Sequence, residues 1–161
     1  MKVGDFENTV EGFTIHRIIR DHPHYPCLIL AKHSHKSSGI SKLVFLRCVA
    51  EEGDPETLQR VDDELRLHKH INHPGIGTLH GMAAGHGRLF VVSEYIEGWT
   101  LESILELALV LGRRLSPGFA AYVAREVADA LDYAHRCQGA GRRALNIVHR
   151  AVSPINIHLR G

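Results

Sequence analysis

The chain has 161 residues, 44% of them apolar, with 19 basic and 18 acidic side chains and a formal net charge of +1. That length supports one core, or two small lobes, and so balanced a charge gives no electrostatic reason to expect nucleic acid or an anionic membrane as a partner. No run approaches the roughly 20 apolar residues of a membrane helix, and the start MKVGDFENTV has no hydrophobic signal core, so a cytoplasmic location is expected.

Three short, β-branched, apolar segments come first: FTIHRII at 13–19, CLILAKH at 27–33 and KLVFLRCV at 42–49. Each reads as a strand, and the polar stretch between the last two separates them as a hairpin turn would. The period then changes. Asp54 followed by Pro55 has the chemistry of a helix N-cap and first helical position, Leu58, Val61, Leu65, His68 and Ile71 recur at helical spacing, and Pro74 ends the helix. Strands follow at 76–84 and 88–95, joined by Gly85-His86-Gly87. Gly98-Trp99 reads as a helix-entry turn with a packed indole. Beyond it come a helix near 101–111 and a longer one opened by Ser116-Pro117 and running to about Cys137. The last residues, VHRAVSPINIHLRG, read as a tight polar loop between two short apolar strands, one at Ile147-Val148 and one at Ile157 to Leu159. No internal repeat or low-complexity tract interrupts this order.

One position in the first helix is informative by itself. Projected at about 100° per residue, Leu58, Val61, Leu65, Leu67, His68 and Ile71 form one broad stripe, and Glu64 falls inside it. A carboxylate on a buried stripe needs a cationic partner. Alternation along KLVFLRCV puts Arg47 on the same face as Leu43, Phe45 and Val49, so an Arg47–Glu64 pair between strand and helix is expected; separate snorkelling of both to solvent is the other reading.

In this order the segments resemble the protein kinase fold of bacterial Ser/Thr kinases. VFLR at 44–47 resembles the third-strand V-A-I-K, Glu64 sits where the kinase helix places the partner of that lysine, and INHPGI is similar to the H-P-N-I turn. VVSEYIEGWTL looks like the last small-lobe strand and hinge, with Glu94 and Ile96 in the nucleotide-facing hinge. ALDYAHR resembles the end of the long large-lobe helix, and HRAVSPIN resembles H-R-D-x-S-P-x-N. The resemblance implies an α+β chain with an N-terminal extension at 1–12, a small lobe and hinge at 13–97, and a partial large lobe at 98–161. The small lobe would be an antiparallel five-stranded sheet plus one helix; the large lobe would be its first helices and a catalytic-loop hairpin, truncated after that loop.

The departures from the pattern fall on its working residues. The three positions of the phosphate-covering G-x-G-x-x-G loop carry Asp21, Pro23 and Pro26, and no glycine occurs between Phe13 and Ser38. Two prolines remove backbone N–H donors and Asp21 brings negative charge toward the phosphates. Phe45 stands where a small alanine would roof the adenine pocket, and Arg47 stands for the lysine. In the terminal loop the proton-accepting Asp is replaced by Ala151, which has no group for that chemistry. Asn156 remains in the metal-binding position, without the D-F-G carboxylate among these residues, while His149 and Arg150 are left to packing and hydrogen bonding. The resemblance therefore implies a pseudokinase, with no bound cofactor expected. The alternative is a piece of a divergent Ser/Thr kinase using ATP and Mg once completed, and a purely structural protein is the third class.

Other constellations carry less. His22/His24 and His33/His35 put paired rings on strand faces, and His68, His70 and His73 scatter around a helix, so no zinc site is defined and no metal is expected. Cys27, Cys48 and Cys137 are odd in number and widely spaced, which suits reduced, packed thiols. On the long helix, Phe119, Val123, Val127, Ala130, Leu131 and Ala134 share one face flanked by Tyr122 and Tyr133. With no covering helices in the chain, each large side chain left in water forgoes roughly 1.5–3 kcal/mol. A protein partner or a second copy is therefore expected on the face marked by Phe119, Tyr122, Val123, Val127 and Leu131, making the domain a binding or regulatory module.

Overall fold

The computed structural model of the chain describes residues 9–10, 12–22, 25–34, 41–51 and 55–160. It divides into two compact units, one of Met1–Lys69 with Gly77–Tyr95 and one of His70–Ile76 with Ile96–Gly161.

The first unit is a six-stranded antiparallel sheet with one helix. Its strands are β1 (Thr9–Val10), β2 (Phe13–His22), β3 (Tyr25–Ser34), β4 (Ser41–Glu51), β5 (Leu79–Gly85) and β6 (Arg88–Glu94), in the order β1-β2-β3-β4-β6-β5. Five of these are long, as the sequence indicates; the sixth, β1, is a two-residue edge strand inside the stretch read as an extension. Its Val10 is 1% exposed, and a Cβ added at Gly85 on the opposite edge would lie 3.2 Å from Val10 Cγ1. The two edges of the sheet therefore meet, and the sheet curls around an interior. Alternation then sorts the side chains. Cys27, Ile29 and Ala31 of β3, Val44, Leu46 and Cys48 of β4, and Phe90 and Val92 of β6 fill the inside. The intervening residues Val49, Leu89 and Val91 form a second cluster with Val61 and Leu65 of the helix α1 (Pro55–His68).

Two expectations about α1 need correction. Of the broad stripe only Val61 is buried; Leu58 and Leu67 are 38% and 37% exposed, and Glu64 is exposed, because a single helix covers the sheet along one line of contact. The helix also stops at His68, six residues before Pro74. The last bond of its ladder runs from the Lys69 N–H to the Leu65 carbonyl, and the backbone of 70–76 is then engaged by the second unit, to which it belongs. The strand expected from residue 76 accordingly starts at Leu79. The Asp54 cap and the turn at 35–40 lie outside the described residues.

The second unit is built on α2 (Leu101–Val110) and α3 (Pro117–Arg136). Thr100 caps α2 by accepting the Ser103 N–H at 3.1 Å, and Ser116 caps α3 by accepting the Phe119 N–H at 3.1 Å, with Pro117 opening the helix. The terminal hairpin does not form. Ile147 and Val148 are outside any strand, and β8 (His158–Leu159) pairs instead with β7 (Trp99–Thr100). Gly98 makes that pairing possible: its φ is +134°, and a Cβ there would stand 2.0 Å from the Leu159 carbonyl oxygen. The Leu101 N–H continues the contact by donating to the Ile157 carbonyl at 2.8 Å. The indole of Trp99, expected to be packed, is 67% exposed. All three cysteines are buried, and none is in a disulfide.

Candidate functional site

In the first unit, β4 and α1 bring Arg47 and Glu64 together. Arg47 Nη2 donates to Glu64 Oε1 at 3.2 Å, and both side chains remain substantially exposed, at 36% and 44%. The pair lies in a shallow cleft lined also by Val49, Thr57, Arg60 and Val61. Thr57, Arg60 and Glu64 recur on α1 at helical spacing, so the additional lining residues were legible in the period once Glu64 was singled out. One turn beyond Glu64, burial pushes the imidazole of His68 below its ordinary pKa, and the Glu64 carboxylate acts in the opposite direction.

Phe45, two residues before Arg47 on the same face of β4, is 8% exposed. It stands across from Leu30 of β3 and Ser93 of β6, and its ring meets Tyr95 edge-on with centroids 5.2 Å apart. The phenyl is thus a packed member of the unit, consistent with a structural use of the position. Glu94 ends β6 opposite Val44, its N–H donating to the Thr78 carbonyl at 2.9 Å; Ile96 opens the second unit and is half-buried. Of the three loop positions, Asp21 lies in β2, Pro26 lies in β3, and Pro23 is outside the described residues.

In the second unit the polar loop closes on itself around Ala151. The Ala151 N–H donates to His149 Nδ1 at 3.2 Å, and its carbonyl accepts from Asn156 Nδ2 at 2.9 Å. Arg150 between them adopts φ +60°, and a 3-10 turn at Pro154–Asn156 is held by the Asn156 N–H to Ser153 carbonyl bond. His149, Arg150, Ala151 and Asn156 are all exposed. The loop brings a histidine, an asparagine and a methyl group to one point, and no carboxylate.

The long-helix face differs from its expectation. Val123 is buried at 7% exposure and Ala134 at 8%, while Phe119, Val127 and Leu131 are half-buried; of the named face only Tyr122 is largely exposed, with the Arg125 guanidinium 5.6 Å from its ring centroid. Residues 70–76 lie against the C-terminal half of α3. The Asn72 N–H donates to the Tyr133 hydroxyl at 3.1 Å, and His73 stacks on Tyr133 with centroids 4.9 Å apart. His73 also bonds Asp129 through Nε2 at 3.2 Å, while its Nδ1 accepts the Gly75 N–H. With Nδ1 accepting, the tautomer that satisfies both contacts carries its hydrogen on Nε2. The two most exposed large apolar side chains, Leu109 and Val110, sit instead at the end of α2.

The protein kinase domain family model matches residues 31–160. The chain belongs to that family. It is 35% identical over 89 residues to serine/threonine-protein kinase PknJ of Mycobacterium tuberculosis, a match covering 55% of this chain and 13% of that protein. Over 109 residues it is 30% identical to tyrosine-protein kinase MasK of Myxococcus xanthus, covering 66% of this chain and 16% of the relative. The crystal structure of the Mycobacterium tuberculosis PknI kinase domain superposes with a TM-score of 0.69 at 25% identity, over 94% of this chain and 56% of that one. The chain thus spans little more than half of a solved kinase domain and a small fraction of its curated relatives. The sheet, α1 and the helices that follow are a protein kinase-like small lobe and the start of a large lobe. Among the described residues no helix is long and apolar enough to cross a membrane.

Proposed function

We propose that this kinase-family domain is catalytically inactive and works as a binding or regulatory module. The observation that carries the reading is Ala151. A kinase base must accept or orient the substrate hydroxyl proton, and a methyl group with its flanking amide and carbonyl already bonded to His149 and Asn156 has nothing to accept it with. The remaining residues do not fit Mg-ATP: Phe45 occupies the adenine-roof position packed on Tyr95, and the amide of Asn156 is turned to the Ala151 carbonyl. The test is a calorimetric and thermal-shift titration of the purified chain with Mg-ATP to millimolar concentration. No saturable heat and no stabilisation are expected; micromolar affinity would overturn the reading.

A second reading has one observation in its favour: the chain spans only 13% and 16% of the kinases PknJ and MasK. On that reading it is a piece of a divergent Ser/Thr kinase, with ATP and Mg as cofactors of the completed protein. Transfer of the γ-phosphate to a peptide by the protein expressed from its whole reading frame, lost on Asn156→Ala, would favour it.

A further inference from the structure

Two of the three cysteines, far apart in the sequence, are set opposite each other by the pairing of β3 with β4. The ladder between these strands runs from Ser34↔Ser41 to Leu28↔Arg47, one residue against one, without a shift. Both strands continue beyond that point, β3 to Tyr25 and β4 to Glu51, so the next pair in line is Cys27 with Cys48. Alternation puts the two side chains on the same, inner face, and both belong to the cluster that fills the inside of the sheet. Cα atoms of directly opposed antiparallel residues stand about 4.5 or 5.5 Å apart, according to their place in the ladder, and a disulfide accommodates roughly 4.4–6.8 Å. A bridge between Cys27 and Cys48 thus needs a small local adjustment and no change of fold.

The surroundings of the pair differ from those of the adjoining residues on that face. Ile29 and Leu46 are 0% exposed, whereas Cys27 and Cys48 each keep 8%. The ladder of β4 with β6 slips between Cys48 and Ala50, an irregularity that disrupts the pairing locally. Cys48 Sγ also accepts from Arg88 Nη1 at 3.9 Å, so a guanidinium stands beside that sulfur. Cys137 has a different setting, in the second unit, where its thiol donates to the His70 carbonyl at 3.7 Å.

We infer that Cys27 and Cys48 are a redox modification site, a cross-strand dithiol that a peroxide converts reversibly to a disulfide. Cys48, as the thiolate, attacks one oxygen of hydrogen peroxide; the O–O bond breaks, hydroxide leaves and Cys48 becomes a sulfenic acid. The Cys27 sulfur then attacks the Cys48 sulfur, the S–S bond forms, and the sulfenic oxygen leaves as water with the Cys27 thiol proton. In sum, two thiols give up two electrons and two protons, and the peroxide becomes two waters. A small thiol restores both cysteines by exchange. Because Cys27 follows Pro26 and Cys48 follows Arg47, the bridge fastens the strand of the former loop position to the strand of the ion pair. The site is independent of whether the domain binds nucleotide, so its failure and that of the proposed inactivity are read by different experiments.

The test exposes the reduced, folded chain to millimolar hydrogen peroxide, digests it without reductant and maps the peptides by mass spectrometry. One intramolecular link between Cys27 and Cys48 is expected, with two thiols lost per chain and both recovered in dithiothreitol. The oxidised chain should melt higher by roughly 5 °C or more, because the closed loop restricts the unfolded chain. Cys27→Ala and Cys48→Ala each abolish the link and the shift, and Cys137→Ala keeps both. Circular dichroism verifies that each variant is folded, and the peptide map of the wild-type chain decides by itself where one is not. The inference is overturned by thiols that stay reduced in the folded chain while the chain in urea is oxidised. Sulfinic acid at either position without a link overturns it too, as does a link through Cys137 or between two copies, or one that lowers the melting temperature.

Discussion

The Arg47–Glu64 pair is the place where the energetics differ most from what the sequence suggests. On a buried stripe, removing one partner would leave a lone charge in a poor solvent and cost about 3–5 kcal/mol, more than removing both. The structure sets a different scale. There is one contact, at 3.2 Å, rather than two parallel ones, and the side chains are 36% and 44% exposed. For a solvent-accessible ion pair water screens most of the attraction, and ordering two flexible side chains offsets part of what is left, so the coupling is expected at about 0.5 kcal/mol and below about 1 kcal/mol. The experiment is a double-mutant cycle with Arg47→Met, Glu64→Gln and the combined variant, each unfolded in urea and followed by circular dichroism with the slope checked for constancy. Neither single change should cost more than the double change does. At about 1 M salt, where the screening length falls to about 3 Å, the coupling should shrink further. A coupling above about 2 kcal/mol, or a single variant less stable than the double, would mean that the cleft excludes water and that the pair behaves as a buried one.

Gly98→Ala should unfasten the short β7–β8 pair, because its Cβ has no place beside the Leu159 carbonyl; hydrogen exchange at the Leu101 amide, which bonds to the neighbouring Ile157 carbonyl, should speed up, and unchanged protection would contradict the steric argument. His68 should make the fold sensitive to acid. Its folded pKa lies below the ordinary 6.5 through burial, so the unfolded chain takes up the proton first: the contribution is fully present above about pH 6.5 and is lost as pH falls from there through the folded pKa. His68→Gln should therefore flatten the fall in melting temperature between neutral and mildly acidic pH, and Glu64→Gln, which removes the opposing carboxylate, should steepen it; the reverse order would show that another group carries the dependence.

What the sequence reveals about this fold depends on whether a property belongs to the residue or to its surroundings. Alternation along β4 correctly separates Val44, Leu46 and Cys48 from Phe45, Arg47 and Val49, since the pleat alone decides it. The caps at Thr100 and Ser116 follow local chemistry, although only Ser116 stands out, because it precedes a proline. Strand β1 has two residues and therefore no period to detect; it pairs with the start of β2, and the distant Gly85 closes over its Val10. Ile71 continues the period of α1 perfectly well, yet the helix ends before it because the backbone of 70–76 finds partners on α3. The reading of α3 as an uncovered face fails on burial: periodicity shows that Val123 and Ala134 share a side, and it is silent on what lies against that side. The terminal hairpin fails for the corresponding reason, since Gly98 offers His158 and Leu159 an edge that no local pattern advertises.

The distinction bears directly on function. Ala151 cannot accept a proton in any environment, so the argument for lost catalysis is read from residue identity and gains only detail from the bonds of His149 and Asn156. An interaction surface has no such independence. The leucines of α2 and the apolar face of α3 are equally conspicuous in the chain, and both are equally compatible with burial. Only the fold separates them, covering Val123 to 7% exposure and leaving Leu109 and Val110 at 81% and 83%. A contiguous exposed apolar group of that kind is costly to a soluble surface unless something sits on it.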